Sequence, residues 1–123
     1  MSSLANRVYD NGLTVLDTEA NRIDITSQEP TTYAQATSTY TLGNTTSITI
    51  SAPTDGDTSG RKVTLSAISG ASVTSTGTAT HYAITDTSNS RLLLTEALTS
   101  SQAVTSGNTF DLTAVDIEIP DPS

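Results

Sequence analysis

Apolar residues recur at every second position in several windows of this chain, and a period of two is the mark of strands. Between Arg22 and Ser27, Ile23 and Ile25 share one parity while Arg22, Asp24 and Thr26 share the other, which predicts a half-buried strand. Ile48 and Ile50 place a second strand over Ser47 to Ala52. Val63, Leu65 and Ala67 place a third over Arg61 to Ile68. Thr78 to Asp86 and Ser90 to Leu98 flank the turn residues Thr87-Ser88-Asn89 and read as a β-hairpin. Leu92, Leu94 and Leu98 share a face with Glu96, and Leu93 is apolar on the opposite face, so this strand is expected to be covered on both sides.

The last strand, Thr109 to Ile119, changes parity midway. Phe110, Leu112 and Ala114 give way to Val115, Ile117 and Ile119. A one-residue slip turns every side chain to the other face. Either a bulge near Ala114-Val115 or a passage from one sheet to another accounts for it. Loops are expected at Thr31 to Gly43, with at most a single helical turn, and at Pro53 to Gly60. Gly43-Asn44 reads as a break and Ser69-Gly70 as a turn. Ser72 to Thr76 offers a short strand, and Gly77 a bend or bulge.

The N-terminal stretch differs. Leu4, Val8, Val15 and Leu16 fall roughly on one helical stripe over Ser3 to Ala20, with Ser2 or Ser3 as cap. Gly12 weakens that helix, and an extended arm turning at Asp10-Asn11-Gly12 is the alternative. The fold class expected is mainly β: a sandwich of about six to eight strands with a short N-terminal helix or arm. Residues 1–21 form the helix or arm, 22–120 a single β-sandwich domain, and 121–123 a tail.

Composition thins the expected core. Only 34% of the 123 residues are apolar, and aromatics amount to four Tyr and one Phe. Thr and Ser are abundant, and β-branched Thr suits strands. The formal net charge is −8, from five Lys or Arg against thirteen Asp or Glu. That balance argues against nucleic acid and against anionic membrane surfaces as partners. No apolar run is long enough to span a bilayer, and Met1 to Asp10 lacks the basic and apolar regions of a signal peptide. There is no cysteine, which fits synthesis in a cytoplasm and excludes thiol chemistry.

Candidate chemistry is sparse, and no cofactor or catalytic residue is expected. His81, the single histidine, alternates with Ala79 and Ala83 and reads as a structural side chain. Asp55 and Asp57 are weak metal candidates: two carboxylates two residues apart with Gly bends resemble half of an oxygen cage. No bidentate Glu follows, and Arg61 and Lys62 would repel a cation, so a polar turn is the better reading. Asp10, Asp17, Glu19 and Asp24 read as a solvated acidic face suited to a basic partner rim. Tyr9, Tyr33 and Tyr40 are the partner-binding candidates, because Tyr combines an apolar body with a polar tip.

The order Ala5-Asn6-Arg7-Val8-Tyr9-Asp10-Asn11-Gly12, Ser27-Gln28-Glu29-Pro30-Thr31-Thr32-Tyr33, Gly60-Arg61-Lys62-Val63, Gly77-Thr78-Ala79-Thr80-His81-Tyr82-Ala83, Ser90-Arg91-Leu92-Leu93 and Gln102-Ala103-Val104-Thr105-Ser106-Gly107 resembles small structural proteins of tailed bacteriophages. The resemblance spans most of the chain and carries no catalytic motif. It implies a virion component made in the host cytoplasm, and among virion roles a head decoration or cement protein on the outer capsid surface. The major capsid protein is then the partner, and a symmetric homo-oligomer such as a trimer is expected at a symmetry axis. A tail- or fibre-associated component and a carbohydrate- or receptor-binding adhesin module are the alternatives.

Overall fold

The computed structural model describes residues 6–57 and 60–119, with side chains from Asp10 onward. The expected tail at 121–123 lies outside them. The chain opens with α1 (Asn6–Glu19) and continues through β1 (Arg22–Thr26), a π-helical turn (Gln35–Thr39), β2 (Thr41–Thr45), β3 (Thr54–Asp55), β4 (Arg61–Leu65), β5 (Ile68–Val73), β6 (Gly77–Asp86), β7 (Arg91–Val104), β8 (Thr109–Leu112) and β9 (Val115–Ile119). The strands form two antiparallel sheets. One has six strands in the order β7-β6-β1-β2-β5-β8, and the other three in the order β3-β4-β9.

The mainly β, sandwich-like expectation therefore holds, and so does the N-terminal helix. Leu13 and Leu16 of α1 are buried, and the helix packs on β4. Together with Ile50, Val63 and Leu65 they cover one face of the large sheet, where Ile23, Ile25, Ile84, Tyr82 and Phe110 complete a contiguous apolar core. Register explains the composition of that face: Ile23 pairs with Ile84 and Ile25 with Tyr82.

The parity change in the last strand is a passage between sheets. Thr109–Leu112 belongs to the large sheet as β8, and Val115–Ile119 to the small one as β9, with Thr113 and Ala114 making the crossing. The hairpin is also present, with a four-residue loop in place of three. The Asp86 carboxylate accepts from the Ser88 amide at 3.0 Å and from Asn89 Nδ2 at 2.8 Å, and Ser90 closes the turn at φ 54°.

Other expectations are corrected. β1 is not half-buried: Asp24 and Thr26 are as inaccessible as the isoleucines. The segment 27–40 folds over its second face. Asp24 accepts two bonds from Arg22, Nε to Oδ1 at 2.8 Å and Nη2 to Oδ2 at 2.8 Å, and one from Thr41 Oγ1 at 2.6 Å. Arg22 also donates to the Thr37 carbonyl at 3.3 Å and so fastens the π-helical turn. The Gly43-Asn44 break lies inside β2. A Cβ at Gly43 would sit 2.6 Å from the Ser72 carbonyl oxygen, so this glycine serves close approach of strands and not a turn. Ser69-Gly70 likewise lies within β5, where Gly70, at φ +68°, occupies a register shift against β8.

The strand expected at Ser47 to Ala52 shrinks to one bridge, Ile50 to Leu65. The Thr64 amide there bonds to Ser51 Oγ at 3.0 Å, so a side chain interrupts the ladder. β4 correspondingly ends at Leu65 and leaves Ala67 exposed. Leu93 is an extra residue in β7, since Ile84 pairs with Leu94 and Thr85 with Leu92. The bulge brings Leu93 against the core beside Leu94. Far from being covered on both sides, β7 is an outer strand, mostly exposed beyond Thr95.

Candidate protein-binding surface

The sequence-derived candidates do not converge. Tyr9 lies in α1, and its side chain is outside the described residues. Tyr33 and Tyr40 are half-buried in the segment that covers β1. Their backbones hold that segment together: the Thr37 hydroxyl donates to the Tyr33 carbonyl at 2.9 Å, and the Ser27 amide to the Tyr40 carbonyl at 3.0 Å. Asp55 and Asp57 lie far along the chain, at the β3–β4 connection. Asp55 Oδ1 is 2.7 Å from Arg61 Nη1, and Asp57 Oδ1 is 2.6 Å from Lys62 Nζ. Their carboxylates therefore face cations. Among the described residues, no three His, Cys, Asp or Glu gather where they would hold a metal ion.

The acidic N-terminal group divides. Asp24 is buried. Asp10 holds the helix to the small sheet through Arg61 Nε at 2.9 Å. Glu19 reaches Arg91 at 3.4 Å, and Asp17 is partly exposed. His81 is half-buried on the face of β6 away from the core, with Nδ1 2.9 Å from Thr80 Oγ1 and Nε2 3.8 Å from Glu29.

Every Lys or Arg whose side chain is described, namely Arg22, Arg61, Lys62 and Arg91, has a carboxylate within 3.4 Å. These pairs push the Arg61 guanidinium and the Lys62 ammonium above their ordinary values, chiefly through the hydrogen bonds they donate to Asp10 and Asp57. The remaining carboxylates leave the surface acidic.

The feature sequence reading missed is the free side of β7. This strand runs fourteen residues, and its ladder is with β6 alone among the described residues. Natural edge strands are usually short, or protected by Lys, Pro or covering loops. β7 carries neither Lys nor Pro. Its free edge also faces β8, the opposite end of the same sheet. Residues of both line a cleft of about 520 Å³ that includes Leu98, Val104, Phe110 and Leu112. A second cleft of about 370 Å³ adjoins it at Leu98, Thr99, Leu112 and Thr113, and has Tyr82 and Glu96 in its wall. The large sheet is thus curled until its two ends approach.

The Tyr82 hydroxyl donates to Glu96 Oε2 at 3.4 Å, and burial, with the Glu96 charge added, pushes the phenol up to about 12. The one signal for this surface in the sequence was the absence of Gly, Pro, Asn and Asp from Arg91 to Val104, which leaves the run without a strong breaker.

No family model, curated protein or solved structure matches the chain. No helix among the described residues is long and apolar enough to cross a membrane.

Proposed function

We propose that this chain is a non-catalytic structural protein that works by binding other proteins, and specifically a head decoration protein that binds the outer capsid surface of a tailed bacteriophage and stabilises the shell. The observation that carries the protein-binding reading is the fourteen-residue β7, whose outer edge has no ladder partner among the described residues. Such an edge is a template for strand addition by another chain, in which main-chain hydrogen bonds supply affinity and alternate side chains supply selectivity. The acidic surface supports it by favouring a basic rim on the partner. The capsid assignment rests on the resemblance of the sequence to small phage virion proteins. Many copies on a repeating shell would convert modest single-site affinity into avidity.

The test is to mix the purified chain with expanded, genome-free heads of the phage that encodes it. Co-sedimentation with heads and a higher head melting temperature support the reading. Sedimentation with tails alone transfers the protein to the tail. Binding to glycans that is lost on Tyr33→Ala favours the adhesin module.

A further inference from the structure

The two ends of the six-stranded sheet are joined by a tight turn and yet are not paired. β7 and β8 are consecutive, linked by Thr105 to Asn108, with the Asn108 amide donating to the Thr105 carbonyl at 3.0 Å and Gly107 at φ +92°. A turn with its positive φ only at the third residue lacks the primed geometry that matches strand twist and splays its flanks, and β7 pairs with β6 and β8 with β5. The turn is anchored elsewhere. Gly107 N donates to the Val73 carbonyl at 3.1 Å, and Val73 N to the Asn108 carbonyl at 2.9 Å.

The reason the seam stays open is visible in the register. Ala79 pairs with Gln102 and His81 with Ala97, so Thr80 alone stands opposite Leu98 to Ser101. These residues bow away from β6. On the other side, β8 leaves the sheet after Leu112 to cross to β9. The result is a curled, nearly closed sheet with a cleft where its last ladder would be.

We propose that this seam receives an extended segment of a partner protein, with apolar side chains facing inward and basic residues at its ends. This assignment deepens the protein-binding reading above by naming the site and the kind of segment. Among the described residues both walls present strand edges without ladder partners, so an inserted strand finds backbone donors and acceptors on two sides. The β7 wall, Leu98 to Val104, lies opposite Gly77 to Thr80, about 10 Å at strand rise, enough to pair three or four extended residues. Because every neighbouring pair in the sheet is antiparallel, β7 and β8 run in opposite directions. A segment antiparallel to the long β7 therefore runs parallel to the short β8.

Charge selects the occupant. Among the described residues, those lining the two clefts include Glu96, Asp111 and Asp116 and no Lys, Arg or His. Asp116 is held by Lys62, while Glu96 and Asp111 are exposed. A second copy of a chain with net charge −8 is a poor match for that rim.

The experiment uses the full chain and synthetic alternating Val/Thr heptapeptides capped at both ends, one flanked by lysines and one by glutamates. Amide hydrogen exchange is read at Leu98 to Val104 and Thr109 to Leu112. The lysine-flanked peptide should slow exchange on both walls at least tenfold, and the glutamate-flanked peptide should not. Glu96→Lys should weaken the first peptide about tenfold and strengthen the second. Equal protection by both peptides, or none, overturns the proposal. So does protection that grows with protein concentration alone, which identifies a second copy as the occupant. Peptide binding without head binding would remove the capsid reading and leave the seam; the converse outcome would remove the seam alone.

Discussion

Replacing Arg22 with methionine isolates one buried charge. The Asp24 side chain is wholly inaccessible and takes two of its three side-chain hydrogen bonds from Arg22. Methionine preserves much of the aliphatic packing but removes both charge-assisted bonds, leaving a buried carboxylate with the Thr41 hydroxyl alone. Breaking a buried pair from one side costs about 3–5 kcal/mol, against about 0–1 kcal/mol for an exposed pair. In a domain of this size that corresponds to a fall in melting temperature of roughly 12–20 °C. Removing both partners, as Arg22→Met with Asp24→Leu, should cost no more than about 1 kcal/mol, since no ion is then stranded. Thr41 Oγ1 keeps an acceptor in the Gly43 carbonyl at 3.3 Å. Urea unfolding followed by circular dichroism measures these two variants and Asp24→Leu alone, with a coupling of about 3 kcal/mol expected from the cycle. A single variant costing under about 1 kcal/mol, or a double variant as unstable as the single, would refute the role assigned to this pair.

Gly12→Ala should stabilise the chain by about 1 kcal/mol, because α1 gains a better helix former and the nearest atom to the new methyl, Ile119 Cδ1, is 3.8 Å away; a loss in thermal unfolding would contradict the packing of α1. Gly43→Ala should cost about 1–3 kcal/mol through overpacking, with faster amide exchange in β2 and β5, since the methyl would meet the Ser72 carbonyl at 2.6 Å. In an absorbance titration, one tyrosine should ionise near pH 12 and disappear in Tyr82→Phe, as burial and Glu96 hold its proton; this group stabilises the fold below about pH 10 and loses that contribution as pH rises toward 12. Asp86 and Asp116 are held below the ordinary carboxylate range, chiefly by hydrogen bonds from Asn89 and Thr64. Their stabilisation is present above about pH 4 and lost as pH falls through the depressed values, so Asp86→Asn should flatten the acid limb of a melting-temperature profile.

What was legible in the sequence follows from where side chains alone decide. Alternation located β1, β4 and the β6–β7 hairpin, and the parity change at Ala114-Val115 announced a strand shared between sheets. It failed where backbone proximity decides. Gly43 looked like a break because nothing local tells a turn glycine from one pressed against a neighbouring strand. Asp24 looked solvated because its cover, the segment 27–40, is polar and irregular. Leu93 looked outward because the bulge that turns it inward depends on pairing with Ile84 and Thr85. The seam was hidden for the same reason: whether β7 and β8 pair depends on the bow opposite Thr80. Among the candidate site residues, Tyr33 and Tyr40 are half-buried parts of the cover over β1. Asp55 and Asp57 lie across the β3–β4 connection from Arg61 and Lys62, the cations that face them.

Capsid decoration is the function proposed for this chain. Cryo-microscopy of intact particles from the phage that encodes it tests this most directly. The account predicts repeated density on the outer surface of the head, fitted by the two-sheet fold with the seam between β7 and β8 against the major capsid protein. Density confined to the tail, or particles that lack the protein altogether, would contradict it.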